Sequence, residues 1–160
     1  MAYILSDERD VDCVGAFSRY RDYVTSAKAT FPPQAHELAS SEWYFNPTDH
    51  RCPHDAWLES LVVSEPSAGS RHEIRHTTIR VRLLGAYHDG FIELVYPKVF
   101  SYQLTSPSAE RGLGDWRYDE FRVNPSGHVI HEIEWAGSGS KEASRWIIEA
   151  SDVEFHWIAK

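Results

Sequence analysis

Residues Asp115–Trp135 read DWRYDEFRV-NPSG-HVIHEIEW, and this stretch decides the fold. Two runs that alternate polar and apolar residues flank a short segment of turn formers. Successive strand side chains point to opposite faces, so a period of two marks strands with one buried side. Asn at the first turn position, Pro at the second and Gly at the fourth suit a type I turn. With Gly127 in the left-handed position of a three-residue loop, Asn124 faces His128. The register that follows pairs Val123 with Val129, Phe121 with His131, Asp119 with Ile133 and Arg117 with Trp135. The apolar members mark that face as core, and Asp119 falls diagonal to His131, within reach of a hydrogen bond. The opposite face sets Glu120 against Glu132, Tyr118 against Glu134 and Arg122 against Ile130. Opposed carboxylates repel, and Arg122, diagonal to Glu132, can answer that. A slip of one residue would set Glu120 against His131 and Asp119 against Glu132, but the turn grammar favours the first register.

Working outward, the period of two begins near Asp55. Strands are expected at Ala56–Ser64, His72–Tyr87, Phe91–Tyr96, Val99–Leu104, Arg145–Ala150 and Val153–Trp157, besides the hairpin. Ser64–Ser70 reads as a loop, His88-Asp89-Gly90 as a hairpin turn and Pro97 as an edge or bulge position. Thr105–Gly114 reads as a loop, Gly137–Ser140 as a turn and Ser151-Asp152 as another turn. About eight short strands joined by tight turns predict a mainly β fold: an antiparallel β-sandwich or barrel over 55–160, with a meander in its second half. Before it, Val11, Val14, Phe17, Tyr20 and Val24 recur at helical spacing, which predicts an N-terminal helix over 8–29. Ser6 or Asp7 would cap it and Pro32–Pro33 would end it. Residues 31–55 read as an ordered loop region, with Ser41–Phe45 a short strand within it. A chain of 160 residues is read as a single domain, 1–160.

The net charge is −8, and arginines are scattered among acids. That is not the basic stripe of a nucleic-acid binder, so none is expected. No window approaches the apolar length of a spanning helix, so no membrane partner is expected either. The start has no basic leader with an apolar run, and both Asn residues precede proline, which blocks N-glycosylation. These features favour a cytoplasmic protein. Cys13 and Cys52 form no CxxC pair, and a disulfide between them is left open.

Several residues could carry chemistry. Asp119 orienting His131 is the candidate catalytic pair, a carboxylate steering a general base. The competing reading is a hydrogen-bonded pair inside a sheet, favoured because no nucleophile or oxyanion signature accompanies it. Glu120, Glu132 and Glu134, with Trp116 and Tyr118, form a candidate binding face, the acids being read as solvated. His50, Cys52 and His54 supply donor types seen in metal sites, with His36 or Asp49 as a third ligand. Their spacing matches no standard zinc motif, so no metal and no cofactor is expected. His72 and His76, four apart, would share a strand face. No phosphate loop, nucleophile elbow or HExxH motif occurs.

Three functions compete. The leading expectation is a non-catalytic module, of the inhibitor or immunity type, whose acidic face covers a basic protein partner. The second is a small-molecule-binding or enzymatic β-barrel with its pocket at Asp119, His131 and Trp116. The third is a structural domain that forms a homodimer through an exposed edge strand at Val99–Leu104.

Overall fold

The computed structural model describes residues 1–106, 112–137 and 143–160. It is mostly β, and among the described residues the helices all lie within Asp7–Phe45. The long strands are β1 (Trp57–Ser64), β4 (Thr77–Leu84), β5 (Gly90–Leu104), β6 (Trp116–Val123), β7 (Val129–Trp135), β8 (Ser144–Ala150) and β9 (Glu154–Ala159). They form one antiparallel sheet in the order β1-β4-β5-β8-β7-β6, with β9 also paired to β5. A separate two-stranded ribbon pairs β2 (Ser67–Ala68) with β3 (Ile74–Arg75). The ends of the sheet meet at one isolated bridge, Trp57 to Asp115. A single bridge is not a ladder, so the sheet curls without closing into a barrel.

The hairpin takes the expected register from Tyr118↔Glu134 through Glu120↔Glu132 and Phe121↔His131 to Val123↔Val129. Gly127 adopts φ +79, and the Asn124 amide donates to the His128 carbonyl. One pairing differs. A bulge at Arg117 sets Trp116, not Arg117, opposite Trp135. The extra residue turns the Arg117 side chain out and the indole in.

β5 runs unbroken through Pro97, where two strands were expected. Register shifts flank the proline on both neighbouring strands, between Thr77 and Ile79 on β4 and between Val99 and Ser101 towards β8. Bulges accommodate the missing amide. β8 and β9 lie end to end along one side of β5, as Val99↔Ala150 and Val95↔Glu154 show. The turn at Ser151-Asp152 therefore joins collinear strands, not the arms of a hairpin, and the meander is confined to β6-β7-β8. Val99–Leu104 pairs with β8 along one side, while on the other β4 reaches only as far as Val99, so among the described residues Phe100–Leu104 keeps one side without a strand partner. In the β4–β5 turn it is His88, at φ +59, that takes the left-handed conformation expected of Asp89-Gly90. His72 also has positive φ and, like His76, lies outside the strands. The loop Thr105–Gly114 and the turn Gly137–Ser140 fall partly outside the described residues.

The N-terminal region departs further from expectation. A 3-10 turn, Asp7–Asp10, precedes α1 (Cys13–Ser26), whose cap is Asp12, accepting from the Gly15 amide at 2.9 Å. Val11 and Val14 are solvent-exposed, and the buried stripe is Ala16, Tyr20 and Val24. Pro33 opens a second helix, α2 (Pro33–Ser40), at its first position, where the missing N–H costs nothing. Residues Trp43–Phe45 form a 3-10 turn rather than a strand. Both cysteines are free, Cys13 exposed and Cys52 buried.

The inner face of the sheet carries Ile79, Val81, Leu83, Ile92, Leu94, Phe121, Val129, Ile133 and Ile148. Tyr20, Val24, Ala35, Leu38 and Tyr44 of the N-terminal region join them in one core. α1 also guards the rim of β6. The Tyr20 hydroxyl accepts from the Phe121 amide and donates to the Phe121 carbonyl, and the Val123 amide donates to the Tyr23 hydroxyl. Two tyrosines thus occupy backbone groups that an unpaired edge would offer to another chain.

Candidate functional site

β6 places Asp119 on the inner face, 4% exposed. Its carboxylate gathers three donors: Trp116 Nε1–H on Oδ1 at 3.0 Å, and Tyr44 O–H and His131 Nε2–H on Oδ2, both at 2.8 Å. Asp119 only accepts, so the ring proton of His131 sits on Nε2, and Tyr96 O–H donates to Nδ1 at 2.6 Å. The ring of His131 stacks on Phe121, 4.0 Å between centroids, and is fully buried. Burial raises the Tyr44 and Tyr96 hydroxyls well above the ordinary phenol range, so both remain donors. The diagonal contact read from the hairpin is therefore present. His131 touches no solvent, and Tyr96 behind it was not foreseeable, because it comes from a strand 35 residues away.

Asp119 alone of the pair reaches a cavity. Between α1, the segment 44–54 and β6 lies a cleft of about 340 Å³, lined by Phe17, Phe45, Pro47, Pro53, Tyr118 and Val14. Its polar lining is Arg21, Arg117, His54, Cys13, Tyr44 and Asp119. His54 donates Nδ1–H to the Arg117 carbonyl, and its Nε2 lies 3.5 Å from Asp55 Oδ1. With three donors already bound, Asp119 is a satisfied acceptor in the wall rather than an idle base. Trp116 is sealed in the core beside Trp135, and Tyr118 is half-buried at the cleft. Arg21 has no ion-pair partner among the described residues, so its charge is available at the rim.

Glu120, Glu132 and Glu134, expected on a solvated face, are instead buried. Each is neutralised by arginine. Arg122 bridges Glu120 and Glu132, Arg145 joins Glu132 at 3.0 Å and Glu134 at 3.1 Å, and Arg9 reaches Glu134 at 3.1 Å. Burial of three carboxylates is tolerable only with such pairing. Glu120 also accepts the backbone amides of Tyr3, Ile4 and Leu5, at 3.0, 2.7 and 3.2 Å to one oxygen. The N-terminal segment thus covers the face that was to have met a partner. Arg122 was visible as a diagonal neighbour; Arg145 and Arg9 are brought in from a different strand and from the N-terminal turn.

The metal candidates disperse. His50 holds Asp89 at 2.5 Å and stacks on Tyr87, Cys52 donates to the Tyr44 carbonyl at 3.0 Å, and His54 is held by Arg117. Among the described residues no three His, Cys, Asp or Glu side chains gather as a metal site would require. No helix among them is long and apolar enough to cross a membrane. The chain matches no family model, no curated protein and no solved structure.

Proposed function

We propose that the chain is a small-molecule-binding protein whose ligand occupies the cleft beside Asp119. The observation that carries this is the pairing of a concave aromatic wall with two arginines, Arg21, which has no ion-pair partner among the described residues, and Arg117, whose guanidinium lies 3.7 Å from Glu134, over a floor fixed by the Asp119 network. A cleft of about 340 Å³ suits a compact ligand. Phe17, Phe45 and the prolines favour a flat apolar body. The arginines favour an anionic group at its end, a carboxylate for choice, since a guanidinium matches it in a bidentate fashion. The floor is rigid and its acceptor satisfied, which supports recognition without catalysis. A module covering a basic protein is less well supported, because the three acids named for it are buried and already paired.

Calorimetric titration with 1-naphthoate and with the neutral 1-naphthalenemethanol tests the reading. Saturable binding of the carboxylate, weakened about tenfold or more by Arg21→Glu together with Arg117→Glu, is expected. No saturable binding, or equal binding of the neutral alcohol, would overturn it.

A further inference from the structure

At the other side of the inner face the curled sheet borders a second, larger space that is open to solvent. It measures about 700 Å³ and shares no lining residue with the first cleft. β1 contributes Trp57, Leu58 and Leu61, the end of β5 contributes Leu104, and β8 contributes Trp146; Leu113 completes the apolar wall. The Trp146 indole N–H is taken by the Thr105 carbonyl at 2.9 Å. The ring therefore brings no unmet donor to the space.

The rim is built rather than incidental. Backbone hydrogen bonds sew the strip Leu113–Trp116 to both neighbours. Trp116 N–H donates to Ala56 O at 2.7 Å and Asp55 N–H donates to Trp116 O at 2.9 Å. On the other side Ala136 N–H donates to Asp115 O at 2.8 Å and Gly137 N–H to Leu113 O at 3.0 Å. Gly114, at φ +76, lets the strip approach so closely that a Cβ there would lie 2.8 Å from the Gly137 carbonyl carbon. The isolated bridge from Trp57 to Asp115 sits at this same end. A solvent-open space of this size leaves its leucine and tryptophan walls against water unless an apolar molecule covers them.

The lining states the chemistry of an occupant. Its apolar side chains come from three strands and from Leu113 ahead of β6, and its hydrogen-bonding side chains are Thr105, Ser106 and Asp115. Asp115 is the only charged residue among the described lining, and its carboxylate would repel an anionic head. We propose that this cavity is a second binding site, for an uncharged lipid-like molecule: an aliphatic chain bearing a hydroxyl group at one end. The chain lies against Leu58, Leu61, Leu104 and Trp146, and the hydroxyl is met by Thr105 or Asp115. The two sites differ in the charge they accept, an anion beside Arg21 and Arg117 and a neutral molecule here.

The experiment is a titration of the full chain with decanol, followed by tryptophan fluorescence, beside sodium decanoate. A bromine-bearing decanol serves as a position-sensitive quencher. Saturable decanol binding is expected, with decanoate at least about tenfold weaker. The brominated alcohol should quench strongly, and Trp146→Phe should remove much of that quenching. Leu61→Arg, at a half-buried position of an outer strand, should weaken decanol about tenfold or more while far-ultraviolet circular dichroism stays unchanged. Arg21→Glu should leave decanol binding as it is, which separates this site from the cleft beside Asp119. The proposal is overturned by the absence of saturable decanol binding, by decanoate binding equally well, or by unquenched tryptophan emission. If Leu61→Arg does not fold, the quenching result alone decides.

Discussion

At the scale of single residues, the Asp119 carboxylate holds three buried donors on two oxygens. Asp119→Ala leaves all three without an acceptor and should cost about 3–5 kcal/mol, measured by urea unfolding. The two cysteines should differ sharply. Burial pushes the Cys52 thiol up to about 12, whereas Cys13 is exposed. Thiolate is the reactive form, so iodoacetamide at neutral pH should add one label, at Cys13, by mass spectrometry. Two labels on folded protein would contradict the packing of Cys52 against Tyr44. What was legible at this scale was the Asp119–His131 diagonal, because opposed residues on a two-residue period fix their neighbours geometrically. Tyr44 and Tyr96 were not, since their partners lie 75 and 35 residues away and no local pattern encodes such a meeting.

At the scale of elements, α1 and the N-terminal segment matter for what they cover. Tyr20→Phe removes the hydroxyl that satisfies both backbone groups of Phe121. It should destabilise by about 1–3 kcal/mol, and Tyr23→Phe, with one such bond, by about 1 kcal/mol, in matched denaturant melts. Glu120→Ala releases three amides at once. Hydrogen exchange of Tyr3–Leu5 should accelerate about tenfold or more, with β7 and β8 protected for longer. The hairpin register was readable because turn type and alternation agree, and it fails only at the Arg117 bulge, which no local residue announces. The helix start was misread because Val11 and Val14 keep helical spacing yet face water. The second helix was missed because Pro32–Pro33 reads equally as the end of one helix and the opening of the next. The pairing of β9 with β5 depends on chain crossing at long range, which period and turn signals do not contain.

At the scale of the molecule, the buried phenols govern the alkaline limit. Burial raises Tyr20, Tyr44 and Tyr96 well above their ordinary value of 10.0. A group whose folded pKa is raised contributes stability in full below its unfolded pKa and loses it as pH climbs towards the folded one. Above about pH 10 each such phenol should therefore cost about 1.4 kcal/mol per pH unit. Titration of absorbance at 295 nm should show part of the eight tyrosines ionising freely and the buried three only as the chain unfolds. At the acidic limit the sign reverses. The Arg51 guanidinium holds Asp49 down at about 2, and His128 holds Glu149 below its ordinary value. Their contributions are present above the usual carboxylate range and fade as pH falls through it. The overall class, mostly β with an N-terminal helix, was readable from the change of period near Asp55. The curl that brings Trp57 to Asp115 was not.

The clasp on the N-terminal segment also has a consequence in time. Tyr3–Leu5 is synthesised well over a hundred residues before the groups that hold it, for Glu120 lies 117 residues beyond Tyr3 and Arg145 lies 140 beyond Leu5. At about 5–20 residues per second, translation leaves that segment waiting roughly 7–30 s for its seat. Until β6 and β7 have left the ribosome, Arg9 has no carboxylate from Glu134 and Tyr20 no strand edge to guard. A segment that emerges so long before its partners thus settles only after them, a latch that records the completion of the sheet.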